Sequence, residues 1–98
     1  MSSRYVKRAL DKAIECIDPT TKFDTEQLAI EIRQRITEEH DATNSYLSLV
    51  PHIEDKEIAK IITDIANEEK VHVGELQEIL YKLSPVDKQK EEEGRNEN

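Results

Sequence analysis

Apolar residues recur along this chain at steps of three and four, and almost nowhere at steps of two. That period lines one side of a helix, because an α-helix turns once in 3.6 residues. Residues 4–17 place Val6, Ala9, Leu10, Ala13, Ile14 and Ile17 on one side and are predicted as a short amphipathic helix. "DPTTKFD" ends it, since Pro19 lacks an N–H and restricts Asp18. A long helix follows, capped by Asp24 or Thr25, and runs to about Leu49, where "VPH" stops it. Glu54 and Asp55 suit the first turn of a last long helix, where carboxylates meet the helix dipole. It continues to about Leu83, before "SPVD". The closing "DKQKEEEGRNEN" has no apolar residue and is predicted to be disordered. Three segments result: an N-terminal helix over 1–18, a hairpin of two antiparallel helices over 24–84, and a polar tail over 85–98. Glycine is nearly absent and no β-branched run alternates with polar residues, so the class is all-α.

The stripes on the two long helices contain residues that do not belong in a core. The last helix reads Ile58, Ile62, Ile65, Glu69, His72, Leu76, Leu80, Leu83, in steps of three or four throughout. Glu69 and His72 therefore share a face with the aliphatic residues. The preceding helix reads Leu28, Ile32, Ile36, Glu39, Tyr46, Leu49, with Glu39 seven residues from both Ile32 and Tyr46. Glu68 points about 100° away from Glu69, and His40, His52 and Glu75 are expected in solvent.

An ionised carboxylate on such a face costs several kcal/mol unless it is paired or holds a metal. No Lys or Arg lies on these stripes. Two carboxylates and an imidazole without thiolate suit iron, manganese or zinc. The E-x-x-H step projects both ligands from one helix, as in carboxylate-bridged di-iron bundles. Such a bundle needs a Glu from each of two helices and E-x-x-H from each of two more. This chain supplies half of that set, and a two-fold dimer would supply all of it. The competing readings are a surface Glu69–His72 pair and a Glu39 neutralised by a basic residue from elsewhere.

Composition agrees with an assembly. The chain has 98 residues, 36% hydrophobic and 37% charged, so one copy has little apolar material to bury. A formal net charge of −8 argues against nucleic acid and anionic membrane and suits cations. The single Cys16 excludes an internal disulfide and is expected as a small core residue of the N-terminal helix. No apolar run suggests a signal peptide or a membrane span, and the cytoplasm is the default location.

The segments "EEHDATNSY" at 38–46 and "ANEEKVHVGEL" at 66–76 resemble those of ferritin-like proteins, and most closely the encapsulated ferritins, over roughly Thr25 to Leu83. The resemblance implies a half-ferritin hairpin that dimerises into a ferritin-like four-helix bundle and builds a di-iron ferroxidase centre between two chains. It implies Glu39, Glu69 and His72 as iron ligands and Tyr46 as the tyrosine beside the centre. Glu38 and Asp41 match the positions of an acidic metal-uptake pair, with Asp where the family has Glu. It implies a homodimer, a ring of dimers such as a decamer, and packing with an encapsulin shell protein in a nanocompartment. The loading tag usual in the family, a small-residue and aliphatic peptide, is not visible in "EEEGRNEN". The expected activity is oxidation of Fe(II) to Fe(III) by dioxygen, for iron storage or detoxification. A rubrerythrin-like peroxidase and a non-redox, metal-stapled structural module stay open beside it.

Overall fold

The structure, a computed structural model, describes residues 22–97. The helix expected over 4–17, with Cys16, lies outside the described residues. Helix α1 spans Thr25–Leu49, a 3₁₀ turn spans Val50–His52, α2 spans Lys56–Leu83 and α3 spans Pro85–Asn96. No described helix is long and apolar enough to cross a membrane.

Each boundary has a local cause. The Asp24 carboxylate accepts from the Gln27 N–H at 2.8 Å, and the Gln27 side chain accepts from the Asp24 N–H at 3.1 Å. This reciprocal cap satisfies two donors that the helix start would otherwise leave open, and such a cap stabilises by about 1 kcal/mol. At the other end Pro51 cannot extend α1, and the Ile53 N–H closes the turn on the Val50 carbonyl at 3.1 Å. Asp55 proves to be the cap of α2 rather than a first-turn residue. Its Oδ1 accepts from Glu57 N–H at 2.9 Å and Ile58 N–H at 3.1 Å, while Glu54 stays outside the helix.

Among the described residues few side chains close the hairpin. Ala29, Ala66 and Leu80 are buried, as is Thr43, whose hydroxyl donates to the Glu39 carbonyl at 2.9 Å. The stripes predicted as core are only partly covered in one chain. Of their members Ile58 is 50% exposed and Leu49 48%, and beside the stripe Ile61 is 54% and Ile79 43% exposed. Two helices touch along a narrow line, whereas an apolar stripe of 100° or more needs a second neighbour. On α2, Ile58, Ile61 and Ile79 fall along one edge, while Val71, 54% exposed, points away from it.

The polar tail expected to be disordered is helix α3. Pro85 stands in its first turn with Asp87 close behind, and α3 docks on the hairpin through polar groups. Arg33 of α1 makes two 2.8 Å bonds to the Asp87 carboxylate. Glu91 accepts from the Tyr81 hydroxyl at 2.7 Å and from Gln77 at 3.3 Å, both on α2. Arg33 is six residues before Glu39 and Tyr81 is twelve after Glu69, so both lie about 120° around their helices from those carboxylates. Ile79 and Tyr81 point about 160° apart. Helix α3 thus covers one edge of the hairpin and leaves the edge of Ile58, Ile61 and Ile79 open.

Candidate metal centre

Midway along the hairpin, α1 and α2 bring Glu39, Glu69 and His72 together. One ligating atom from each lies within 4.8 Å of the other two. His72 Nδ1 is 3.5 Å from Glu39 Oε2 and 3.6 Å from Glu69 Oε2. Glu69 and His72 meet because they are three apart on one helix. Glu39 reaches them because the antiparallel partner presents it at the same level. All three are half-buried, and the His72 ring keeps 45% of its surface exposed.

The electrostatics are those of two carboxylates and an imidazole crowded together. Burial, a hydrogen bond with Glu69 and the charge of Glu69 together raise the Glu39 pKa, and His72 only partly offsets them. At His72 burial favours the neutral ring, but the Glu39 and Glu69 carboxylates outweigh it and the pKa is raised. The nearby guanidiniums are engaged elsewhere: Arg33 with Asp87 at 2.8 Å and Arg35 with Glu38 at 3.3 Å. The donor set fits a divalent cation of the iron, manganese or zinc type: two carboxylates, one imidazole, no thiolate, and no fixed positive charge in the triad.

The other sequence-predicted residues lie around this triad. Tyr46 is half-buried on α1, two turns beyond Glu39 and about 10 Å along the axis. Glu38 is half-buried and paired with Arg35. Asp41 is half-buried, and its Oδ2 is inaccessible without a hydrogen-bond partner. Glu38 and Asp41 are three apart on α1, about 100° and 160° around the helix from Glu39. His40, His52, Glu68 and Glu75 are exposed, as expected. Sequence reasoning missed the polar set Arg33, Gln77, Tyr81, Asp87 and Glu91. Pro85 just after Ser84, with Asp87 in the first turn, was the available signal of a helix start.

A ferritin-like–encapsulin shell fusion protein of Pyrococcus furiosus is 42% identical over 63 residues, covering 64% of this chain and 18% of that protein. The chain thus spans less than a fifth of that relative. The crystal structure of the encapsulated ferritin domain from Pyrococcus furiosus superposes with a TM-score of 0.79 at 34% identity, covering 85% of each chain. The family described as Rubrerythrin matches residues 7–97. A match over nearly the whole chain, on an all-α hairpin of this shape, means that the protein belongs to the rubrerythrin family and has the ferritin-like fold.

Proposed function

We propose that this protein is a ferroxidase, oxidising Fe(II) to Fe(III) with dioxygen at a di-iron centre built between two copies of the chain. The observation that carries it is the triad: Glu39, Glu69 and His72 offer donors within 4.8 Å of one another, and among the described residues no Lys or Arg pairs with them. Ferritin-like members of the rubrerythrin family support an iron-related role for it. Fe(II) gives up the electrons, and dioxygen takes them with solvent protons to form water.

In this reading Glu39 and Glu69 hold iron through ionised carboxylates, and His72 through a neutral ring nitrogen. Carboxylate-rich ligation offsets the added charge of Fe(III) and so favours oxidation. One copy supplies one Glu and one E-x-x-H, and a second copy completes the set. The uncovered Ile58, Ile61 and Ile79 support that copy, because dimerisation would remove them from water. Tyr46 would line the centre, and Glu38 and Asp41 would pass iron toward it. A hairpin encloses no cavity, so mineral would collect elsewhere. The fusion of a ferritin-like part to an encapsulin shell in the relative supports a shell compartment; in this reading the dimers form a ring.

The rubrerythrin family match favours a second reading, a peroxidase at the same centre. The 98 residues hold a single cysteine, too few for a rubredoxin-type cluster. Fe(II) is added to metal-free protein in air under an oxygen electrode, and separately without air with hydrogen peroxide. Catalytic oxygen consumption beyond the rate of iron in buffer supports the ferroxidase. Turnover with peroxide alone supports the peroxidase, and neither supports a structural metal site.

A further inference from the structure

The hairpin is joined covalently at only one end. At the end beside Val50–His52 a short turn ties α1 to α2, while at the other the start of α1 and the end of α2 have no such link. Among the described residues few are buried between them, so their packing alone gives little resistance to splaying. Helix α3 crosses at this end. It bonds to α1 through Asp87 on Arg33 and to α2 through Glu91 on Tyr81 and Gln77.

We propose that α3 is a clasp: by tying Arg33 to the end of α2, it holds the open end of the hairpin shut and keeps Glu39 at ligating distance from Glu69 and His72. The inference rests on the metal-site reading for its second half only. Glu39 and the Glu69–His72 pair stand on different helices, so their separation is set by the spacing of the helices and by nothing local. Arg33 is less than two turns from Glu39, about 9 Å along α1, so splay at Arg33 is felt there. Ser84 is the sole joint between α2 and α3, and its hydroxyl donates to the same Asp87 carboxylate at 2.5 Å. The joint and the anchor are thus fixed together. The paired bonds from Arg33 define the geometry more sharply than a single contact could. The charged groups that face Asp87 are Arg33, and through Arg33 the neighbouring Glu91. Arg33 and Asp87 are positioning residues, which touch no ligand.

The test uses the full chain and two readouts. Amide hydrogen exchange follows residues 25–33 and α3 in metal-free protein, and calorimetric titration measures Zn(II), a redox-silent probe. Asp87→Asn removes the charge and keeps the shape. It should speed exchange at both places and weaken Zn(II) by roughly three- to tenfold. Asp87→Glu, which keeps the charge, should restore both readouts, and Lys88→Gln, an exposed neighbour, should change neither. Unchanged exchange in Asp87→Asn overturns the clasp. Faster exchange with unchanged Zn(II) affinity overturns its positioning role. Wild-type protein that binds no Zn(II) overturns the metal reading instead, and the exchange data still decide the clasp.

Discussion

His72 Nδ1 lies 3.5 Å from Glu39 Oε2, across the hairpin and on another helix. The contact raises the His72 pKa, while burial and Glu69 raise that of Glu39 against the opposing pull of His72, and metal reverses what both shifts favour. A group whose folded pKa is raised contributes stability below its unfolded value and loses it as pH rises through the folded one. Both groups therefore stabilise the metal-free hairpin in acid and cease to do so toward neutral and alkaline pH. Metal needs Glu39 ionised and His72 neutral. The rise in melting temperature caused by Zn(II) should thus grow from mildly acidic to mildly alkaline pH, with metal released in acid. Differential scanning fluorimetry with Zn(II) and with a chelator checks this, and a pH-independent difference would contradict ligation by His72.

Glu39→Ala, Glu69→Ala and His72→Ala should each lower the Fe(II) oxidation rate at least about tenfold, the scale of losing a metal ligand or its support. Glu68→Ala, exposed beside them, should stay close to wild type. Stopped-flow absorbance of Fe(III) measures the rates. Three triad variants at wild-type speed would remove the site assignment.

Association should respond to metal. A dimer brings Glu39 and Glu69 of both copies into one interior, and four carboxylates repel there until two divalent ions balance them. A ligand that binds only the assembled form stabilises it by about 2.7 kcal/mol at a hundred times its dissociation constant. Native mass spectrometry should show monomer in metal-free protein shifting to dimers and larger rings with Zn(II) or Fe(II). Glu39→Ala should weaken the shift and strengthen metal-free association. A chain that stays monomeric at saturating metal would end the shared-centre reading.

Gly74 stands inside α2, and a Cβ built there meets nothing within 4 Å. Gly74→Ala should then stabilise by about 0.5–1 kcal/mol through helix propensity and a less flexible unfolded chain. Urea unfolding measures it. A loss of stability would mean that another surface closes on Gly74 in the assembly.

Asp87 gives the clasp its own pH limit. Bonds from Arg33 and Ser84 hold its pKa down to about 2. A depressed carboxylate contributes stability above its unfolded value and loses it as pH falls through the folded one. Protection of α3 amides should therefore persist through mild acid and fade as pH falls toward 2. Exchange measured over that range in wild type and Asp87→Asn checks it, since the variant should lack the transition.

The hairpin and its triad were legible because helical periodicity reports them directly. Glu39, Glu69 and His72 interrupt aliphatic stripes, and the chain breaks at "VPH" for reasons contained in those residues. The stripe at Ile58 was harder, because the described residues do not cover it. Helix α3 escaped for a different reason. It buries no large apolar residue, and Val86 is 60% exposed, so there is no stripe to read. What holds it is Asp87 on Arg33 and Glu91 on Tyr81, partners with no fixed spacing in sequence. Its internal Lys90–Glu93 pair at 3.3 Å adds little alone.

The short Val50–Asp55 connection also sets the order of events in time. It joins helices that are neighbours in sequence, so closing the loop costs little entropy and the contacts are mostly local. Chains with such low contact order fold in microseconds to milliseconds. Each copy can therefore finish its own half of the centre as a first-order process, independent of protein concentration. Dilution would slow only the later encounter of two finished halves.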